Sequence, residues 1–565
     1  MRKLKQIARD SVLRRWLFGY LTGRWSTSVP TKTRPPYLEN SEFQEITNFN
    51  IGWKSAPHHS PTASIDINLA GLNVHLEPGD EYKLLGKTFN DTEQLLALHR
   101  FSWISSVEQS ALSSWVTAVY CLWKDKYGAN ENGWAWHPYT AAERLLNLLN
   151  IFEICGLPSP REETLKFLFK HGTVIIDNLE YFGEQQTGNH LANNGRGLYL
   201  AGLKLGIKFW TDIGEKILFK ESERLFLKSG ILREGSSHYH LLVTRWYVEC
   251  WLAAEAHNHP GKNKLLEISK KILAVLPLFD LPAGFPLIGD VSPDCSPRFL
   301  EGLLKAEKLG WVEALSDAQF LMLKKLLVTS KILNEEDLLA DGWLRKDRYK
   351  WKSIWHISPD GWAPMPGHAH RDFGSFELHY GAKTIFHDRG RRSYGSAGDQ
   401  DVGAELHNSL TIDGVEPYPV NRPYYSREFK QNVTGKKPEV FTSQDTVTIS
   451  TRAFGRLKNV GKWTRSWKFS ETEVNITDKI DGTGCHKVQR FLHTPEDFIK
   501  VTGQPILNSK AGSLILDSVS EFNILSSDYW LAYGQTKPAK TIQISSTASL
   551  PWVSTITIKV SPYND

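Results

Sequence analysis

Four short stretches of the chain gather side chains that can move protons or hold anions. The first is Gly188-Asn189-His190-Leu191-Ala192-Asn193-Asn194-Gly195-Arg196. If a helix starts here, His190, Asn193 and Asn194 fall at i, i+3 and i+4 and share one face. Asn189 suits the N-cap, but a cap alone needs neither the further amides nor the imidazole. The second stretch is Arg233-Glu234-Gly235-Ser236-Ser237-His238-Tyr239-His240. Ser236 or Ser237 suits a cap, which puts Tyr239 in a first turn where the helix dipole favours a phenolate. A free tyrosine titrates near ~10, so proton transfer near neutrality calls for cationic neighbours. Arg233, His238 and His240 are the candidates.

The third stretch is Gly367-His368-Ala369-His370-Arg371-Asp372. In an extended segment His368 and His370 point the same way. The fourth is a pair of strand-end dipeptides, His387-Asp388 and His407-Asn408. With His370 they can supply a site of two histidines and one carboxylate for a divalent metal. The HxHxDH pattern of metallo-β-lactamase-like hydrolases is approached but not met, because its last position is Phe373. The plain alternatives are helix caps, core packing and exposed strand-end charges.

These residues must be carried by elements of two textures. From about 106 to 328 apolar residues recur with helical spacing, as in Leu112, Trp115, Val116, Val119, Leu122 and Trp123. Helices are predicted over 106–127, 140–154, 162–181, 190–207, 214–227, 239–256, 263–279 and 317–328. After about 341 alternation and β-branched residues take over, with turn signals at Asp413-Gly414 and Asp481-Gly482. The fold class expected is α+β and multidomain: an N-terminal (α/α) toroid followed by a C-terminal antiparallel β-sandwich. The domains expected are 1–90, an extension packed on the toroid; 91–345, the toroid; and 346–565, the sandwich.

The chain has 565 residues, 67 basic against 62 acidic, for a net charge of +5. That mild charge argues against nucleic acid as the main partner and leaves room for a local basic cleft. Aromatic residues make up 12%; they supply core bulk and also suit stacking on sugar rings. The five cysteines are scattered with no CxxC pair, so neither a disulfide framework nor a zinc ribbon is expected. No membrane-spanning run and no clear secretory signal are legible, which gives a cytoplasmic expectation from sequence.

In order, the chain reads helical half, NHLANN, EGSSHYH, then a β half opening with GHAHRDFGSFELHYGAKTIFHDRG and HNSLTIDG. This succession resembles the heparinase II/III-like polysaccharide lyases, which include alginate lyases. The stretch Trp136 to Leu149 and the Gly289-Asp290 pair share in the resemblance, which covers roughly 134–414. It implies β-elimination from a uronate polymer, either a glycosaminoglycan such as chondroitin, hyaluronan or heparan sulfate, or alginate. Asn189, His190, Tyr239 and His368 match the family's catalytic positions. Asn189, with His190 or His368, would neutralise the carboxylate. Tyr239 would be the acid, and also the base for one sugar geometry, with His368 the base for the other. The resemblance implies a structural divalent metal, Zn²⁺ or Mn²⁺, on His370, Asp388 and His407, and no organic cofactor. Asn193, Asn194, Arg196, Glu234, His238, Arg371 and Arg391 are the expected substrate-binding residues, with Arg389 and Arg392 further candidate anion binders. It further implies a periplasmic or secreted setting, and related proteins also serve polysaccharide biosynthesis.

Two other readings compete. A toroid glycoside hydrolase would need two carboxylates flanking the bond, for which Glu184, Glu234 and Asp290 are candidates. A non-catalytic polysaccharide-binding protein would need no tyrosine and histidines at these positions.

Overall fold

A computed structural model describes residues 7–8, 10–24, 31–39, 52–56, 59–107, 109–282, 284–330, 334–358, 365, 367–394, 402–419, 437–502, 504–516 and 521–560. The first half is helical and the second is built of antiparallel sheets. The helices Pro138–Cys155, His190–Leu205 and Ser237–Ala256 are buried along most of their length. Arg161–Asp177, Lys208–Leu225 and Lys262–Leu273 each bury one stripe and expose the other. This is the two-layer pattern of a toroid, with inner helices apolar on more than one side and outer helices amphipathic.

Glycines let the inner layer close up. A Cβ on Gly197 would lie 2.7 Å from the Ala142 Cβ, and one on Gly214 2.5 Å from the Tyr199 backbone nitrogen. The His190–Leu205 helix therefore sits tightly against both neighbours. The inner helices that carry the sequence motifs start at the same kind of place: His190 and Tyr239 lie in first turns, and Tyr139 in the first turn of the third.

The β half has its own core. An eight-stranded antiparallel sheet contains Val460–Phe469 and Glu473–Gly482 at its centre. Two four-stranded sheets accompany it. One joins Glu521–Ala532, Gln535–Ser549, Cys485–Thr494 and Leu410–Ile412; the other joins Trp343–Arg348, Trp351–His356, Glu377–Tyr380 and Lys383–Phe386. In Glu473–Gly482 every second residue is buried, so Val474, Ile476 and Ile480 point inward as the period-two pattern requires. Asp478 shares that face, and Arg465 meets its carboxylate with two hydrogen bonds of 2.7 and 2.9 Å. The same guanidinium donates to the carbonyls of Gly374 and Asn408 at 3.0 and 2.8 Å. It thereby fixes the loops that follow His370 and His407.

The N-terminal segment departs from expectation in part. Ile65–Leu69 and Leu72–Leu76 form a hairpin on the helical core. The helix Ser11–Leu21 instead docks on the β half, with Val12 in that core and Asp10 paired to Arg456. The reason is local: Asp10 caps the helix through the Val12 and Leu13 amides and presents its other oxygen to a buried arginine. Predicted elements elsewhere recur with shifted ends; the 162–181 helix stops at Asp177, leaving Glu180 in a loop. No described helix is long and apolar enough to cross a membrane. All five cysteines are unpaired.

Replacing Arg465 with Met would leave the buried Asp478 carboxylate without its main partner. It should cost about 3–5 kcal/mol of stability, read as the shift in denaturant unfolding midpoint. A change below about 0.5 kcal/mol, the size of an ordinary surface substitution, would contradict this role.

Candidate active site

The geometry converges on His368. Its Nδ1 lies 3.0 Å from Asp290 Oδ2. Its Nε2 accepts from the Asn189 amide nitrogen at 3.0 Å. That amide orientation is fixed, because the same nitrogen donates to Glu234 Oε2 at 2.7 Å. With Nε2 accepting, Nδ1 carries the proton and donates a hydrogen bond to Asp290. The result is an imidazole held in one tautomer with its Nε2 lone pair beside Asn189. The Asn189 Oδ1 is buried and has no hydrogen-bond partner among the described residues.

Asp290 is fully buried and serves more than His368. Its Oδ1 accepts from His370 Nε2 at 2.8 Å and from Arg391 at 2.9 Å. Burial opposes its charge, yet the hydrogen bonds from His368 and His370, with Arg391 nearby, hold its pKa far below the carboxylate range. The backbone makes this possible. Gly289 has φ +77°, and a Cβ there would lie 2.5 Å from the Gly235 carbonyl and 2.7 Å from that of His368. Asp290 N–H bonds the His368 carbonyl at 2.9 Å, and Ser236 Oγ donates to the Asp290 carbonyl at 2.7 Å. Ser236 also caps the Ser237–Ala256 helix by accepting from Tyr239 N–H. One lattice of bonds thus joins the helix start, the Asp290 turn and the histidine loop.

The Tyr239 ring stacks on His368, with centroids 3.5 Å apart and planes within 10°. Its hydroxyl meets that of Tyr394 at 2.8 Å. Burial, aided by the Asp294 carboxylate, pushes the Tyr239 pKa well above that of a free phenol. The cationic setting expected from Arg233, His238 and His240 does not form among the described residues. Arg233 turns its guanidinium to the carbonyls of Glu184 and Thr187. His238 and His240 are buried and pulled down to about 3 by desolvation, hence neutral. Tyr239 is accordingly a neutral phenol, an acid rather than a ready base.

His190 keeps about half of its side chain exposed. Its Nδ1 sits 2.8 Å from Glu180 Oε1, and His137 Nε2 is 3.3 Å from the same oxygen. Loss of solvent would lower the His190 pKa, but Glu180 outweighs that and holds it above the usual imidazole value. Nδ1 being engaged, Nε2 is the His190 nitrogen left for a ligand.

Several expected binding residues lie elsewhere. Asn193 and Asn194 have no exposed surface; they bond Arg196 and Glu180, because the face they share with His190 turns into the toroid below the first turn. Arg196 is committed to Glu143 and Glu249 at 2.6 and 2.8 Å. It lines a cavity of about 1240 Å³ that does not reach Asn189, His190, Tyr239 or His368. His238 is buried and accepts from Ser292 N–H. Glu234 is buried and holds Asn189 rather than a ligand. Arg371 pairs with Glu416, and Arg391 with Asp290 while covering the Tyr394 ring at 4.5 Å. Glu184 accepts from the Tyr181 hydroxyl.

Behind His368, each of His370, Asp388 and His407 offers a ligand atom within 4.8 Å of the others, and all are buried. His407 Nδ1 bonds Asp388 at 2.8 Å, while His370 Nδ1 and His407 Nε2 have no hydrogen-bond partner among the described residues. Unpartnered buried imidazole nitrogens beside a carboxylate fit a divalent ion. Asp372 does not join this set; it pairs with His356 at 3.1 Å.

The sequence reading missed Tyr394 and Glu180, and gave Asp290 no role beyond a place in the family resemblance and a candidate hydrolytic carboxylate. Replacing Asp290 with Asn should exchange the His368 proton to Nε2, read by the nitrogen chemical shifts of labelled imidazole assigned against a His368→Gln variant. Unchanged shifts would contradict the tautomer assigned here.

Comparison with known proteins agrees with this architecture. The Heparinase II/III N-terminus profile matches residues 76–265, and the Heparinase II/III-like, C-terminal profile matches residues 336–561. A heparin-sulfate lyase of Bacteroides thetaiotaomicron is 22% identical over 397 residues, 61% of this chain and 55% of the relative. One from Bacteroides stercoris is 24% identical over 307 residues, 49% of this chain and 44% of the relative. The chain thus spans about half the length of the curated relatives it matches. The crystal structure of a heparinase III has a TM-score of 0.63 at 18% identity, covering 84% of this chain and 78% of that one. A heparan sulfate lyase from Pedobacter heparinus has a TM-score of 0.53 at 16% identity, covering 86% and 80%. With both of its halves matched and a toroid joined to antiparallel sheets, the chain belongs to the heparinase II/III-like family.

Proposed function

We propose that the chain is a polysaccharide lyase that cleaves a uronate-containing glycosaminoglycan of the heparan sulfate type by β-elimination. The observation that carries this reading is the Asp290–His368–Asn189–Glu234 chain stacked against a protonated Tyr239. It supplies an oriented lone pair, a neutral acid and an amide in one place. The names of the relatives favour a heparan-type polymer over alginate.

The C5 proton of a uronate is poorly acidic until its carboxylate is neutralised. His190, its Nδ1 anchored on Glu180, donates from Nε2 to that carboxylate, and the Asn189 amide turns from His368 to join it. His368 Nε2 then takes the C5 proton. Glu234 Oε2, 3.5 Å from Nε2, stabilises the imidazolium that results. The C4–O4 bond breaks as C4=C5 forms, and the Tyr239 hydroxyl gives its proton to O4. Tyr394, hydrogen-bonded to that hydroxyl, returns a proton from solvent. Asp290 orients the base as the carboxylate does in Ser-His-Asp enzymes.

The hydrolase reading is disfavoured by the same geometry. Glu234 and Asp290 approach opposite nitrogens of one imidazole ring, at 3.5 and 3.0 Å. His368 fills the gap that a sugar and a water would have to occupy between two carboxylates.

His370, Asp388 and His407 would hold a divalent ion, zinc or manganese, whose charge would fix the loop behind His368. It takes no part in the elimination.

Mixing the protein with heparan sulfate should raise the ultraviolet absorbance of a conjugated unsaturated uronate. Tyr239→Phe and His368→Ala should each lower kcat by roughly 10²–10⁴-fold with the fold intact. Full activity in either would overturn the assignment. Tyr394→Phe should lower kcat by about tenfold, ~1.4 kcal/mol, at unchanged KM. A wild-type kcat in that variant would remove Tyr394 from the proton path.

A further inference from the structure

The triad that anchors His190 has a second capability. We propose that His137, Glu180 and His190 form a zinc-binding site on the cleft wall, separate from His370, Asp388 and His407, whose occupation shuts down the lyase. The three residues each offer one ligand atom, and these atoms lie within 4.8 Å of one another. Glu180 Oε1 is 2.8 Å from His190 Nδ1 and 3.3 Å from His137 Nε2. Ligand atoms around a tetrahedral zinc with bonds of about 2.0–2.1 Å stand roughly 3.3 Å apart. Little movement is therefore needed to seat the ion.

The surroundings are those of a built site. Glu180 is buried, and its other oxygen accepts from the Asn194 amide at 3.4 Å, as ligating carboxylates are commonly held. His137 is the residue just before the Pro138–Cys155 helix, its ring packed by Trp134 with centroids 5.7 Å apart. His190 begins the next inner helix, and its ring meets Tyr139 with centroids 4.6 Å apart. Two helix starts and a loop thus fix the ligands independently. Two imidazoles and one carboxylate suit zinc better than magnesium or calcium, which prefer oxygen ligands. The side chains of His137 and His190 stay 30% and 49% exposed, so the ion keeps a coordination position open to the cleft.

Occupation competes with catalysis. Zinc takes the Nδ1 lone pair of His190, and any proton held there leaves to solvent. Glu180 becomes a ligand and no longer pairs with the imidazole. The open position on the ion then draws the uronate carboxylate to the Nδ1 side of His190, away from the Nε2 that would otherwise neutralise it. Asn193 and Arg196 bond each other deeper in the same helix and need not move.

The metal count stands without the lyase reading, whereas the inhibition rests on it. The full chain, stripped and then dialysed against Zn²⁺, should hold one more zinc per chain than His137→Asn treated alike. Glu180→Gln should match His137→Asn, which guards against one variant misfolding. Cobalt loaded in place of zinc should give a visible absorption difference between wild type and either variant. Micromolar zinc should lower the wild-type rate on heparan sulfate at least tenfold and the His137→Asn rate less than twofold. Equal zinc content in wild type and both variants would overturn the site. An extra zinc with an undiminished wild-type rate would overturn the inhibition.

Discussion

A single buried carboxylate ties the molecule together. Asp290 lies on a turn of the helical half, yet its oxygens hold His368, His370 and Arg391 from the β half. A charge so buried is tolerable only when hydrogen-bonded on every side. Removing any one partner therefore disturbs the others. The His368 imidazole and the cluster of His370, Asp388 and His407 are linked through this residue, because two histidines of one extended segment bind its two oxygens. Gly289 is the backbone condition for it, since any side chain there would strike the carbonyls of Gly235 and His368.

A second connection closes the site from above. Tyr394 N–H bonds the Tyr533 hydroxyl at 3.0 Å, and that hydroxyl donates to Asp91 of the helical half at 2.8 Å. Tyr533 stands at the tip of the hairpin formed by Glu521–Ala532 and Gln535–Ser549. The tip touches the hairpin turn at Ala70-Gly71, close enough that a Cβ on Gly71 would lie 2.6 Å from the Tyr533 carbonyl. The phenol pair of Tyr239 and Tyr394 thus spans the two halves of the chain. Neither half holds Tyr239, His368 and Asp290 by itself. Rigid helix starts set Asn189, His190 and Tyr239, and loops pinned by Arg465 and Asn408 set the histidines.

The helices and their order were legible because inner and outer layers leave different apolar patterns, and strands after residue 341 alternate. Asn189, His190, Tyr239 and His368 were singled out by the order of their motifs, which resembles the family's; each cluster alone is as well explained by a cap or by packing. What spacing cannot say is which part of a polar helix face reaches solvent. His190 does, whereas Asn193 and Asn194, on the same face, are sealed beneath it. His238 flanks Tyr239 in sequence but points into the core, since adjacent residues on a helix diverge by about 100°. Tyr394 and Glu180 were invisible for a different reason: their partners, Tyr239 and His190, are reached only through the tertiary fold, and the apparent end of the Arg161–Asp177 helix concealed Glu180. The role of Asp290 likewise exists only once two domains meet.

Elimination and hydrolysis differ in whether water enters the product, and that difference tests the account most directly. Heparan sulfate should be digested in water enriched in ¹⁸O and the fragments weighed by mass spectrometry. The account predicts an unsaturated uronate at each newly formed non-reducing end, making that fragment one water lighter than its hydrolytic counterpart, with no ¹⁸O at the new reducing end beyond the anomeric exchange of an undigested control. Saturated new non-reducing ends, with one ¹⁸O on the new reducing-end carbon beyond that exchange, would contradict it, because a base on C5 and an acid on O4 leave no place for water in the product.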